Sequence, residues 1–471
     1  MSKTLNRPLL ASFVLFLPLA LGACDVGDPY ARPETATPKG WQENADQTSW
    51  PSTGWWTAFG SDELNSYMQA SLADNLDIAA AVARIREADA TAKIDGASLL
   101  PTLDASLAPS RSQTPVTSKT SGGNTKPTLS NNITAKLSTS YEIDFWGKNA
   151  ATSASALASA QASRFDRQTV GLTTQASLAD TYFTILSLQE RLTFAHSNLA
   201  NGQEVLSAIQ DKFRAGTATD LDVAQQENEV ATLAAAIPPL EQSLGENKTA
   251  LALLIGKLPE QIDPKGAGLT GIALPAVKGG LPSELLMRRP DVQYAEQNLI
   301  AANADITVAR AALFPSVSLT GGLGYESNAL NNLIQPTSLL WSLAGSVTQS
   351  IFHGGALEGE VEYKRARYDE LVATYRKAVL SAFIDVDNAL IAVRKTDQQE
   401  AAQRRAEETA RRAYELSMDQ LRGGVAEITT VLNTQRTLFS AQDTLVQARL
   451  SHLEAVVSLY KALGGGWEGQ P

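Results

Sequence analysis

Residues suited to chemistry are sparse in this chain and far apart. Three histidines, His196, His353 and His452, are scattered along 471 residues. The one cysteine, Cys24, has no partner for an internal disulfide. A His/Cys metal site or a nucleophilic triad has almost no material to draw on. No acid, base and nucleophile stand together in a way that marks a reaction. The sequence therefore reads as a non-enzyme. Its 50 acidic residues outnumber its 39 Lys and Arg, for a net charge of −11. That balance lacks the basic footprint of a nucleic-acid partner.

Cys24 is the exception, because of what precedes it. Lys3 and Arg7 make a basic start. "LLASFVLFLPLALG" is an apolar core too short to cross a bilayer as a helix. It ends in "LGAC", Leu21 to Cys24, which resembles the bacterial lipobox, where the signal is cut before a cysteine that becomes lipidated. Residues 1–23 read as a lipoprotein signal peptide and Cys24 as the lipidation site. Losing Lys3 and Arg7 takes the formal charge from −11 to −13. Residues 24–60, with Trp41, Trp50, Trp55 and Trp56 among several Pro and Gly, read as an extended leader laid on another surface.

The elements that follow change character at two prolines. "AEQNLIAANADITVARAALF" (295–314) reads as helix up to Phe314. After Pro315 the pattern alternates strictly. Val317, Leu319, Gly321, Leu323 and Tyr325 fall on one face; Ser316, Ser318, Thr320 and Glu326 fall on the other. Proline ends a helix because it lacks an N–H and biases its predecessor to extended geometry. "GASLLPTLDASL" (96–107) makes the same switch at Pro101.

The switch recurs because the chain is a duplication. At an offset of 214, Leu72, Asp77, Ala88, Leu99 and Pro101 meet Leu286, Asp291, Ala302, Leu313 and Pro315. At 208, "FRAGTATDLDV" (213–223) meets "LRGGVAEITTV" (421–431), sharing Arg214/Arg422, Gly216/Gly424 and Val223/Val431. The first repeat covers 61–280, with strands near 102–113 and 130–145, a long helix 148–212 and a turn near 213–220. The second covers 281–471, with strands near 316–327 and 339–351, a long helix 356–420, a turn near 421–426 and a C-terminal tail. Each long helix would span about 97 Å at about 1.5 Å per residue, far more than a globular core needs. The first returning helix is interrupted by Pro238-Pro239; the second runs to about Leu463.

The strands have the length and two-faced character of membrane strands, about 9–11 residues with one face for lipid and one for a lumen. Tyr141, Tyr325 and Trp341 suit the bilayer interfaces. Four strands leave two bare edges, which cannot face hydrocarbon. The hairpins must therefore join those of other chains, giving 8, 12 or 16 strands from two, three or four copies. The polar loops would lie on one side of the membrane and the helices on the other. On this reading each proline marks where a periplasmic helix becomes a membrane strand.

At this point the sequence resembles the outer membrane factor family, the TolC-like efflux and secretion channels, and most closely its lipoprotein branch. The residues that carry the resemblance include "YARPE" (30–34), "WWTAF" (55–59), "SLLPTLDAS" (98–106), "SYEIDFWGK" (140–148), "FRAGTATDLDV", "LPSELLMRRPDVQYAEQNLIAANADITVARAALFPSVSLT" (281–320) and "ALGGGW" (462–467). The resemblance implies a fold that is mainly α with membrane β: a homotrimer whose 12-stranded β-barrel continues into a 12-helix α-barrel, each chain a structural duplication. It implies an equatorial domain from the region near residue 60, the segment after Gly256 and the C-terminus. It implies a passive exit duct in the outer-membrane lipid. The implied partners are a periplasmic adaptor protein and an inner-membrane RND-type transporter.

The resemblance also assigns the two turns to the periplasmic tip, where the pore closes and the adaptor docks. Gly216 and Gly424 match its turn glycines. Arg214 and Arg422 become candidates to hold the tip closed, with Asp220 and Asp222 as possible partners. The second repeat has Thr430 and Asn433 where relatives often carry aspartate, so an acidic cation-binding ring is not expected there. Two other readings stay open on the sequence: the exit duct of a type I protein-secretion system, and a lipid-anchored coiled-coil scaffold without a pore.

Overall fold

A computed structural model describes residues 26–41, 50–115, 127–266, 268–276 and 282–466. Cys24 and the signal segment lie outside the described residues, as do loop residues 116–126 and Trp467. The elements run α1 (Asp62–Asp74), α2 (Leu76–Gly96), β1 (Thr102–Thr114), β2 (Thr128–Ile143), α3 (Lys148–Arg214), α4 (Asp220–Ala235), α5 (Ile237–Leu254), α6 (Pro282–Arg288), α7 (Pro290–Ala311), β3 (Ser316–Ser327), β4 (Leu339–Thr348), α8 (Ala356–Arg422) and α9 (Ile428–Ala462). Among the described residues the chain is mainly helical, with four strands. α3 and α8 are each 67 residues long, the duplication made visible. No described helix is long and apolar enough to cross a membrane.

Several boundaries differ from the sequence expectation, each for a local reason. α7 ends at Ala311 rather than Phe314. Its last turn tightens, with Leu313 and Phe314 donating to Arg310 and Ala311 three residues back, before Pro315 imposes extended backbone. In the first repeat Leu100 is already extended ahead of Pro101. β2 stops at Ile143 rather than 145 because Asp144 turns away to accept the amides of Asn149 and Ala150 and cap α3. β4 stops at Thr348 rather than 351. The first returning helix divides into α4 and α5 at Ala236; Pro238 and Pro239 then sit in the first turn of α5, where a missing N–H is tolerated.

The chain forms two compact units, and both draw on both repeats. Among the described residues, one comprises those up to Pro33, Arg86–Ala162 and Glu296–Thr374. Its centre is one antiparallel sheet in the order β1-β2-β3-β4. Leu103 opposes Thr139, Ala135 opposes Tyr325, and Leu323 opposes Trp341. This register unites Leu103, Leu107, Leu137, Leu319, Leu323, Trp341, Leu343 and Val347 on one exposed face. The other face carries Ser106, Thr134, Lys136, Ser138, Thr320, Ser342 and Ser346. Trp146 fastens the join between repeats: its indole N–H donates to the Pro315 carbonyl at 2.7 Å, and its ring stacks on Phe314 at 4.6 Å. Asp305 on α7 accepts from Ser155 on α3 and Lys364 on α8.

The other unit comprises Glu34–Ile85, Ser163–Ala295 and the chain from Tyr375. Its core gathers Trp55, Phe59, Leu64 and Met68 with Leu251, Ile255, Leu269 and Ile272, and with Val456, Val457 and Tyr460 of α9. The region near residue 60, the segment after Gly256 and the C-terminal helix thus share one core. Trp55 stacks on Tyr460 at 5.0 Å. The Arg289 guanidinium holds Asp291, Asp385 and the Ala462 carbonyl together. Burial depresses its pKa, but the hydrogen bonds and charges of Asp291 and Asp385 reverse that and raise it.

Candidate functional site: the two helix turns and the two-faced sheet

Both turns are built on the same C-terminal motif. At the end of α3, the Gly216 amide bonds to the Phe213 carbonyl and the Thr217 amide to the Lys212 carbonyl. At the end of α8, Gly424 bonds to Leu421 and Val425 to Gln420 in the same pattern. This paired bonding satisfies carbonyls left over at the helix end and requires left-handed backbone at the glycine. Gly216 and Gly424 have φ of +75° and +73°.

Arg214 and Arg422 close the last turns of their helices, a favoured site for cations facing the negative end of the dipole. Arg214 pairs with Asp211, and Arg422 with Asp419 at 3.3 Å. Each partner lies three residues back on the same helix. Neither Asp220 nor Asp222, the expected partners, is used by these arginines within the chain. Asp222 is engaged elsewhere, in a capping box with Thr219 at the start of α4. The Thr219 amide and then its hydroxyl donate to the Asp222 carboxylate and hold its pKa below the usual range. Asp220 opens α4 in the same first turn, beside positive helix-end amides. α9 has no equivalent: Glu427 stands at its N-cap without a side-chain bond. Thr430 occupies the position in the second repeat that matches Asp222 in the first.

Behind the turns the helices are joined by groups the sequence reading missed. Arg436 on α9 donates to Glu229 on α4 at 2.6 Å, with Glu229 buried. Gln226 reaches the Gly202 carbonyl on α3. Ser417 on α8 bonds to Thr434 on α9. Gln435 is fully buried, and both its side-chain polar atoms lack a partner. A cleft of about 710 Å³ lies between α3 and α8, with Val205, Ile209, Met418 and Leu421 among its apolar walls and Lys212 and Arg422 on its lining. Burial raises the Tyr414 pKa there, opposed by Arg422. The available signal was spacing: polar residues at core positions of otherwise apolar helix seams, which single residue types do not announce.

His452 is a structural residue. It bonds to the buried Glu400 at 2.8 Å, alongside Arg449 at 3.2 Å and Arg404 at 2.9 Å. Burial pushes the Glu400 pKa up, but the His452 bond and the arginines outweigh it and hold the group below its ordinary value. Arg449 also donates to the Leu269 and Ile272 carbonyls, fastening that segment to α9. Among the described residues no three His, Cys, Asp or Glu side chains gather as metal ligands. Pro101 and Pro315 both stand at the foot of a strand, immediately before β1 and β3.

The comparisons agree with this architecture. The model of a family described as outer membrane efflux protein matches residues 67–257 and 281–465. The pyoverdine export outer membrane protein OpmQ of Pseudomonas aeruginosa is 42% identical over 457 residues, covering 96% of this chain and 95% of the relative. The toluene efflux pump outer membrane protein TtgI of Pseudomonas putida is 32% identical over 467 residues, covering 97% and 98%. The solved outer membrane channel CmeC of Campylobacter jejuni has a TM-score of 0.89 at 25% identity, over 95% of this chain and 96% of that one. The fold is that of a TolC-like outer-membrane channel with a periplasmic helical tunnel. The chain belongs to the outer membrane efflux protein family, whose members are passive channels rather than enzymes.

Proposed function

We propose that this chain assembles as a homotrimer and serves as the exit duct of a tripartite efflux pump. It would receive small molecules, drugs among them, from an inner-membrane RND-type transporter through a periplasmic adaptor. Relatives named for pyoverdine export and toluene efflux support small cargo over protein. The observation that carries the reading is the sheet: apolar on one face, hydroxyl-rich on the other, with β1 and β4 each unpaired along one edge of this chain. Such edges must be closed before the sheet can face lipid. Eight strands would leave an interior filled by side chains. Twelve strands from three chains leave room for water beside the serine and threonine face.

The turns around Gly216 and Gly424 form the gate and the adaptor-docking end on this reading, with Arg214, Asp220 and Arg422 exposed on them and Asp222 half-buried. Cys24 carries the lipid anchor. Native mass spectrometry in detergent tests the assembly. The expected mass is three chains plus lipid, and the same particles conduct in planar bilayers. A stable monomer, or particles that never conduct, would overturn the reading.

A further inference from the structure

Two sequence blocks far apart in the chain meet in the structure, and channel function does not explain why. "YARPE" begins six residues after Cys24, and "AEQNL" (295–299) lies on α7. Arg32 grips Glu296 with two bonds, Nε to Oε1 at 2.6 Å and Nη2 to Oε2 at 2.8 Å. The Tyr30 hydroxyl adds a third donor to Oε1 at 3.4 Å. Glu296 is 4% exposed, so the arm's donors meet a buried carboxylate. Further along α7, Asn303 donates to the Asp28 carbonyl at 3.0 Å. Arg310 donates to the Asp28 carboxylate at 2.7 Å and to the Val26 carbonyl at 3.3 Å. The arm therefore follows α7 from Glu296 to Arg310, against the direction of the helix. Its contacts are polar and directional, and the bidentate Arg–carboxylate fork fixes geometry as well as proximity.

The direction of travel matters. Arg310 is five residues before Pro315, and β3 starts at Ser316. Cys24 is two residues before Val26, and two residues reach at most about 7 Å. We propose that Val26–Arg32 is an intramolecular clasp that holds the acyl anchor of Cys24 at the foot of β3, so that lipid and sheet enter the membrane at one level. Arg32, Glu296, Asp28 and Arg310 act here as positioning residues for the anchor. The inference rests on the membrane reading of the sheet and on lipidation at Cys24. A loose leader would let the acyl chains insert anywhere within the leash length. The clasp removes that freedom and ties the anchor to the β3–β4 hairpin of its own chain.

The test separates this role from plain stabilisation of α7. Glu296→Gln and Arg32→Ala are made in two full-length backgrounds. One is the lipidated protein; the other carries an ordinary cleavable signal and Cys24→Ser. The rate of forming SDS-resistant oligomer in the outer membrane is followed by pulse-chase. In parallel, a nitroxide on Ala31→Cys reports arm mobility in the lipidated background, where Cys24 is blocked. The clasp predicts a mobile label and assembly slowed threefold or more in the lipidated protein, with no change in the unlipidated one. The charge swap Arg32→Glu with Glu296→Arg should recover at least half of the lost rate. Equal slowing in both backgrounds would mean the arm merely stabilises α7, and unchanged rates in both would mean it does not position the anchor; either overturns the clasp. If the parent chain itself never forms a membrane oligomer, the channel reading fails first and takes the clasp with it.

Discussion

Arg214 pairs with Asp211, one turn behind it on α3, and not with Asp220 or Asp222 across the turn. Arg422 repeats the arrangement with Asp419. Both arginines remain about three-quarters exposed, at 74% and 73%. Exposed pairs of this kind contribute about 0–1 kcal/mol. Each guanidinium keeps donors to spare.

The double variant Arg214→Ser, Arg422→Ser should leave the melting temperature within a degree or two of the parent. In the proposed trimer six cations would leave the tip, so single-channel conductance should rise. Parent-like conductance would mean that the pairs with Asp211 and Asp419 exhaust the role of these arginines.

Gly216→Val and Gly424→Val should strain the turns without any clash. No atom lies within 4 Å of a Cβ built at either glycine. The expense is backbone alone, about 1–2 kcal/mol for a left-handed residue and more for a branched one. Val variants should weaken adaptor cross-linking and raise drug susceptibility, while Asn variants stay near the parent. Equal loss with Asn and Val would show that the missing side chain, and not the backbone, matters there.

Arg449→Met should loosen the segment held at Leu269 and Ile272. It removes two bonds to carbonyls and one to Glu400. Each bond contributes about 1 kcal/mol, and the buried Glu400 loses part of its charge compensation. Limited trypsin digestion should cut after Lys265 sooner than in the parent. Identical digestion kinetics would contradict the fastening role.

Asp180 sets a pH dependence. Burial first, and then the nearby Glu454, push its pKa to about 7, against the pull of Lys461. One of its oxygens is buried without a hydrogen bond. Between pH 4 and 7 the folded chain keeps a proton at this carboxyl that the unfolded chain has lost. Stability from this group therefore falls as pH rises through that window. Asp180→Asn should match the parent near pH 4, and its melting temperature should pull progressively ahead up to about pH 7 and then hold. A constant offset at every pH would sink this account.

The strands and turns were legible because their signals are local. Alternation from Val317 to Tyr325 states both faces of β3, and Pro101 and Pro315 mark where helix stops. The Arg/Gly spacing of the two turns identifies them by repetition. The pairing of Arg32 with Glu296 spans 264 residues, and that of Arg436 with Glu229 spans 207. Nothing in residue type singles out those glutamates among the others; only folding puts them under a cation. Within the chain Arg214 does not pair with Asp220 or Asp222, for a related reason. A partner one turn back on the same helix and a cap at Thr219 satisfied both groups locally, before any contact across the turn was needed.

The Trp146–Pro315 bond and the Trp146–Phe314 stack sit where the first repeat meets the second, beside the β2–β3 seam. That seam is internal to one polypeptide, so its register is inherited with the gene. In the proposed oligomer the remaining seams would pair β4 of one chain with β1 of the next, unlike edges that can only propagate around a ring. A chain that kept β1 but lost β4 would still accept one neighbour and offer nothing to the other. Co-expressed with the normal allele, it would act as a dominant poison, spoiling most rings while making up only a fraction of the chains.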